Sequence, residues 1–153
     1  MLRAPTTPQE VEEMVELGRA MHAESAFAFL PYEDDVVLKT LRSLAAQGRL
    51  FLLRYEDDAT KKLVGFFCGC TDKYFFNGER IAHDLAFYVH PSHRGKGMAV
   101  LRMIRWFEKW ARLKRAREVC LGVSTGIKVA ETGALLVRAG YTVMGGTFKR
   151  RIG

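Results

Sequence analysis

Apolar residues along the chain follow two periods, and the switches between them mark out the elements. Val11, Met14, Val15 and Leu17 recur every three or four residues and predict a helix over Pro8–Ala23. Thr7 and Glu10 open it as a capping box, with Pro8 at the first helical position. Val36, Val37, Leu41 and Leu44 repeat the spacing over Glu33–Ala46, and Gly48 stops that second helix. Between the two runs an apolar, aromatic connector from Glu24 to Tyr32, with Pro31 near its end. Leu50–Tyr55 and Leu63–Thr71 are near-continuous apolar runs across the polar turn Glu56–Lys62, which predicts a hairpin. Asp72–Arg80 is a loop turning at Asn77-Gly78. In His83–His90 the alternation of Leu85, Phe87 and Val89 predicts a strand. Pro91 ends it, and from Met98 onward Val100, Met103, Ile104, Phe107, Trp110 and Ala111 return to helical spacing. Val119–Ser124 is a further buried strand broken at Thr125-Gly126, and Val129–Ala139 a last helix ended by Gly140. Tyr141–Arg150 is expected to return as one strand or as a hairpin about Gly145-Gly146. Residues 2–7 leave room for a short first strand, weakened by Pro5 and Pro8.

Helix, helix, three strands, helix, strand, helix, strand predicts a mixed sheet flanked by helices, an α/β or α+β single domain over residues 1–153. Hydrophobic residues at 48% supply enough apolar surface for one core. No run reaches about eighteen apolar residues, so no transmembrane helix and no membrane partner are expected. The N-terminal residues lack a signal-peptide apolar core. The three cysteines, Cys68, Cys70 and Cys120, are odd in number and lie in apolar runs. They are read as buried reduced thiols rather than a metal site, which points to a cytoplasmic protein with no metal. The net charge of +7 is uneven: Arg102, Arg105, Lys109, Arg112, Lys114, Arg115 and Arg117 crowd the long helix. Such a stripe fits a solvated helix face drawn to a polyanionic cofactor, with a nucleic-acid-binding module as the lesser reading.

A strand, a glycine-bearing turn and a helix together make an anion site. The first amides of the helix lack intrahelical partners, and its dipole adds to their pull on phosphate. Gly95 and Gly97 allow close backbone approach, and Arg94 and Lys96 bring positive charge. The phosphate-loop pattern G-x-x-x-x-G-K-[ST] is absent. The dinucleotide pattern G-x-G-x-x-G is met only at its first two glycines, since Val100 stands at the third. The chain left after Gly95 is also too short for the rest of a doubly wound dehydrogenase.

Arg94-x-x-Gly97-x-Ala99 resembles the [QR]-x-x-G-x-[GA] acyl-CoA loop of the GNAT superfamily of N-acetyltransferases, and Val89-x-Pro91 is similar to that family's V-x-P strand end. Leu135-Leu136-Val137-Arg138-Ala139-Gly140-Tyr141 is similar to its L-Y-x-x-x-G-[FY] ending, and the element order resembles the GNAT fold along essentially the whole chain. That resemblance implies a mostly antiparallel central sheet and an enzyme that moves an acetyl group from acetyl-CoA to a primary amine. It implies that backbone groups of Phe87, Tyr88 and Val89 bind pantetheine, that amides of Arg94, Gly95, Lys96, Gly97, Met98 and Ala99 hold the pyrophosphate, and that Ser124 and Thr125 flank the pantetheine arm or simply form a strand-end turn. It also places the acceptor against the first two helices and their connector, where Glu24, Phe27 and Tyr32 are the named wall residues beside His22, Phe29 and Asp34. A homodimer fits the resemblance.

Acetyl transfer to an amine needs a group to take the amine proton. Asp84 is the first choice, His83 the second and Glu79 the third; His90 and His93 are read as loop residues. Neighbours on a strand point to opposite faces, so at most one of Asp84 and His83 faces a given cleft. Many GNAT enzymes carry a tyrosine, the acid for the departing thiolate, where Leu136 stands here. This leaves a non-catalytic acyl-CoA-binding regulatory protein as the alternative.

Overall fold

A computed structural model describes residues 1–95 and 98–153; the expectations for Lys96 and Gly97 fall outside the described residues. The chain forms β1 (Leu2–Arg3), α1 (Pro8–Glu24), α2 (Asp34–Ala46), β2 (Leu50–Glu56), β3 (Leu63–Lys73), β4 (Arg80–Val89), α3 (Ala99–Leu113), β5 (Ala116–Cys120) and α4 (Val129–Arg138), with a single 3-10 turn at Pro91–His93. One five-stranded sheet runs in the order β1-β2-β3-β4-β5, antiparallel except for the parallel β4–β5 pair. The expected single-domain α+β architecture with a mostly antiparallel sheet is therefore the observed one.

The two faces of the sheet carry separate cores. Met14, Val15, Leu41, Phe66, Cys68 and Tyr88 pack under α1 and α2. Phe51, Leu53, Phe67, Ala82, Val89, Met103, Ile104 and Phe107 pack under α3, joined by Leu136 of α4. At the centre of the second core the Phe67 and Phe107 ring centroids lie 4.8 Å apart, with Phe51 5.3 Å from Phe107. The spacing that predicted α3 thus marks its buried stripe, and Arg102, Arg105, Lys109 and Arg112 line the exposed side.

A buried ion network ties α1 to the sheet. Arg54 donates to Glu56 at 3.0 Å, to Glu13 at 2.6 Å and to the Glu10 carbonyl at 2.7 Å, while Arg3 bridges Glu56 and Glu10. Burial alone would raise the Glu56 carboxyl, but Arg3 and Arg54 outweigh it and hold it below the ordinary value.

Three expectations are corrected. Residues 121–128 are irregular, so the last strand spans Ala116–Cys120 rather than Val119–Ser124. Its ladder reaches only from Arg80↔Ala116 to His83↔Cys120, because beyond that point β4 turns away and offers no partner. Cys120 is exposed on this edge strand, unlike Cys68 and Cys70. Tyr141–Arg150 forms neither strand nor hairpin, and Val143, Met144 and Phe148 are exposed. Gly145-Gly146 gives the run no side chains to pack. The tail instead reaches the α1–α2 connector, where the Lys149 ammonium sits 4.1 Å from the Phe27 ring centroid and the Arg151 guanidinium 3.7 Å from that of Phe29.

A Cβ placed on Gly69 of β3 would lie 2.6 Å from the Phe107 ring and 3.1 Å from the His83 carbonyl oxygen. Gly69→Ala should therefore cost about 1–3 kcal/mol in stability by overpacking. Urea denaturation checks this, and an unchanged midpoint would contradict the packing described.

Candidate active site

The site begins as a missing ladder. From Asp84 onward β4 has no partner on its β5 side, so the backbone groups not taken up by β3 face a cleft of about 480 Å³ instead of a neighbouring strand. Residues 84–89 form one wall and 122–125 the other, with Gly95, Met98, Ala99, Leu135 and Arg138 closing the end toward α3 and α4.

A bulge in β4 sets which side chains enter. Cys68 pairs with Ala86 but Gly69 pairs with Asp84, leaving Leu85 without a partner. The extra residue shifts the alternation of faces, so Asp84 lies on the α3 side with Ala82, while Ala86 and Tyr88 lie on the α1–α2 side. His83 turns the other way, its Nε2 3.3 Å from the Cys70 sulfur, and does not line the cleft. Of the two neighbours, Asp84 is the one in the site. Glu79 lies outside as well, paired with Arg117 at 3.1 Å.

Asp84 sits at the apex where the strands part and accepts a hydrogen bond of 2.9 Å from the Gly122 amide. Burial raises its carboxyl above the ordinary value, with the Gly122 amide pulling the other way. A carboxylate in this state is a better proton acceptor than a solvated one.

At the other end, the start of α3 at Ala99 borders the cleft. Met98 at the N-cap supplies no side-chain hydrogen bond, and Gly95 takes a left-handed φ of +75° that lets the turn close. Lys128 and Arg138 also line the cleft. The sequence reading passed over both; their only signal is the sequence position flanking α4. Backbone amides, a helix N-terminus and two cations suit a ligand with an extended amide arm and phosphates. Among the described residues no group of three or more His, Cys, Asp or Glu could hold a metal ion.

The Arg94 side chain is engaged within the protein. Its guanidinium donates to the Val89 carbonyl at 2.8 Å and to Glu24 at 2.8 Å, and lies 5.2 Å from the Tyr88 ring centroid. The Tyr88 hydroxyl donates to the same Glu24 carboxylate. Glu24, read as an acceptor-wall residue, therefore clamps the loop to the end of α1. Burial alone would raise its carboxyl, but the bonds from Tyr88 and Arg94 win and hold it low.

The other acceptor residues scatter. Tyr32 packs against α1, its hydroxyl on the Val15 carbonyl at 2.8 Å, outside the cleft lining. Phe27 lies beneath the Lys149 ammonium. Ser124 and Thr125 do line the cleft, and the Thr125 carbonyl accepts from the Ala26 amide at 2.8 Å, joining this wall to the connector. His90 and His93 belong to a surface network through Ser92, and His93 contacts Asp57 at 3.3 Å. Leu136 is buried in the α3-side core while its neighbour Leu135 faces the cleft. The Tyr141 hydroxyl donates to Glu108 at 2.8 Å, which with burial raises its pKa well above the ordinary value.

Comparison with known proteins agrees with this geometry. Over its full length the chain superposes on glucosamine-6-phosphate N-acetyltransferase from Arabidopsis thaliana with a TM-score of 0.73 at 14% identity, covering 98% of that chain. It superposes on AAC(6')-Iy in complex with a CoA-S-monomethyl-acetylneamine bisubstrate analog with a TM-score of 0.75 at 17% identity, covering 100% of this chain and 97% of that one. A transcriptional regulator from Bacillus halodurans C-125 shares the fold too, with a TM-score of 0.73, 16% identity and 99% of both chains covered. No curated protein matches the sequence. The sequence model described as Acetyltransferase (GNAT) family matches residues 13–132. With that match over most of its length, the chain belongs to the GNAT acetyltransferase family.

Proposed function

We propose that this protein transfers the acetyl group of acetyl-CoA to a primary amine, on a small molecule or a protein, by direct attack with both substrates bound. The opening between β4 and β5 carries this reading, because it joins a strand edge unpaired on its β5 side, the N-terminus of α3 and a buried carboxylate in one cleft. The glucosamine-6-phosphate N-acetyltransferase and aminoglycoside 6'-N-acetyltransferase among the structural neighbours make an amine acceptor the natural class.

Acetyl-CoA supplies an activated thioester carbonyl. Backbone groups of Phe87, Tyr88 and Val89 hold its pantetheine arm, Ser124 and Thr125 flank it from the opposite wall, and the amides from Arg94 to Ala99 receive the pyrophosphate. Holding thioester and amine together is the largest contribution expected of such a site. Asp84 takes the proton that the attacking amine must lose as the new C–N bond forms and the C–S bond breaks. The leaving sulfur has no tyrosine waiting at position 136, so it departs as a thiolate or is protonated by solvent. Glu24 positions the phosphate loop through Arg94 and does not touch the acceptor.

The second reading is a non-catalytic acyl-CoA-binding regulator on the same fold. Its supporting observation is the buried Leu136, together with a Tyr88 hydroxyl already engaged by Glu24.

Three outcomes follow. Acetyl-CoA at 100 times its Kd should stabilise the protein by about 2.7 kcal/mol in thermal unfolding, with NADH inert; no shift would remove the cofactor assignment. Asp84→Asn should keep that stabilisation yet lower kcat by about 10²–10⁴ on a responsive amine. In the parent, kcat/KM should rise with pH through the raised Asp84 pKa, above the usual carboxylate range, and the variant should lose this limb; binding without turnover across a broad amine panel would favour the regulator. Glu24→Gln should cost about 1–2 kcal/mol of stability at neutral pH, since two hydrogen bonds lose their charge. Because the folded Glu24 pKa is depressed, its contribution is present above the unfolded carboxylate value and lost as pH falls through the folded one. Parent and variant should therefore converge in acid, which denaturation across a pH series would read.

A further inference from the structure

We propose that the end of the molecule opposite the phosphate loop is a docking surface for an anionic phospholipid bilayer. The turn between β3 and β4 presents Phe75 at 99% exposure and Phe76 at 67%, their rings in a T-shaped pair with centroids 5.1 Å apart. Leu113, at the C-terminal end of α3, is 76% exposed. Contacts across the gap hold the two features at one end of the fold. The Arg80 guanidinium donates to the Lys114 carbonyl at 3.0 Å, Arg117 pairs with Glu79 at 3.1 Å, and the Tyr74 hydroxyl donates to Glu118. The turn is also closed on itself, with the Tyr74 amide on the Glu79 carbonyl at 3.0 Å and the Glu79 amide on the Asn77 side chain at 2.9 Å. Exposed apolar groups on a braced turn call for a partner; isolated surface leucines do not.

The surrounding charge says which partner. Lys73, Arg80, Arg112, Lys114, Arg115 and Arg117 gather at this end. Against them stand three nearby carboxylates, Glu79 paired with Arg117, Asp72 paired with Arg49, and Glu118, which keeps its charge while accepting from Tyr74; Arg112 has only a 3.9 Å contact with Glu108, so the cations stay in excess. Cations around protruding apolar side chains match a bilayer whose anionic headgroups lie above hydrocarbon. A nucleic acid fits less well: bases can stack on Phe75 and Phe76, but the exposed aliphatic Leu113 beside the cations suits hydrocarbon and gives a base no ring to stack on. No helix of the described residues is long and apolar enough to cross a membrane, so the attachment is peripheral. Val89, beside the phosphate loop, lies nine residues along β4 from Arg80, roughly 30 Å away at strand spacing, which leaves that end of the cleft open to solvent. The proposal is independent of the acetyl-transfer reading.

Flotation of the full chain with vesicles tests it, using phosphatidylcholine alone and phosphatidylcholine mixed with phosphatidylserine. Binding should require phosphatidylserine and weaken with salt. The double variant Phe75→Ala, Phe76→Ala should lower partitioning about tenfold or more. Lys73→Glu with Arg112→Glu should remove the dependence on phosphatidylserine. Both variants sit on exposed side chains and should keep the parent thermal midpoint. No binding to the mixed vesicles would overturn the proposal, as would binding that survives the double phenylalanine change. Two further results would also overturn it: a dimer in sedimentation that the phenylalanine change converts to monomer, without vesicle binding, would assign the turn to a second copy. Single-stranded RNA binding tighter than vesicle binding, with or without the phenylalanines, would assign the surface to nucleic acid.

Discussion

The parting of β4 from β5 is the constraint on which the rest of this structure depends. Two parallel strands that stayed paired would consume the backbone groups that residues 84–89 turn toward β5 and leave no cleft. Pairing holds only through His83 and Cys120, and the Asp84 carboxylate then takes the Gly122 amide, bridging the strands where their ladder ends. The same carboxylate thereby acquires the burial that raises its pKa. One geometric event thus produces the cleft, its backbone donors and acceptors, and its base candidate together.

A second dependence runs across the sheet. The Glu24 carboxylate ends α1, yet its partners are Tyr88 of β4 and Arg94 of the turn that follows β4. The loop's conformation is thereby coupled to a helix on the opposite face from α3. Arg54 and Arg3 anchor the other end of α1 to the sheet through Glu10, Glu13 and Glu56. Ionic contacts therefore fix α1 at both ends while apolar packing holds its middle, an economical way to keep a loop-positioning residue in register.

Much of this was legible in the residues. The apolar pattern located α1, α2, β2, β3, β4, α3 and α4 within a few residues, because each helix buries one stripe and β2 and β3, buried on both faces of the sheet, read as short continuous apolar runs. The loop motif and the V-x-P strand end pointed to the correct family. Legibility failed where a residue's surroundings come from distant segments. Ser124 was expected to end a strand, but its neighbours had lost their partner. Tyr141–Arg150 has β-like composition but, interrupted by two glycines, reaches the connector instead of the sheet. The family resemblance grouped Tyr32 and Glu24 on one acceptor wall, yet Tyr32 packs on α1 and Glu24 holds Arg94 of the β4–α3 turn.

What the sequence by itself determined is therefore the set of local elements and the chemistry available at the strand–turn–helix unit, since short-range spacing and backbone preferences act within a few residues. Which side chains face the cleft was decided by tertiary structure. The bulge at Leu85 shifts the face of Asp84 relative to Ala86, and no local propensity announces it, because a bulge exists only against a partner strand. The same holds for the surface around Phe75, Phe76 and Leu113, drawn from segments far apart in the chain. In the sequence it reads as a polar-flanked loop and a helix end, and it becomes one surface only through the long-range contacts that fold them together.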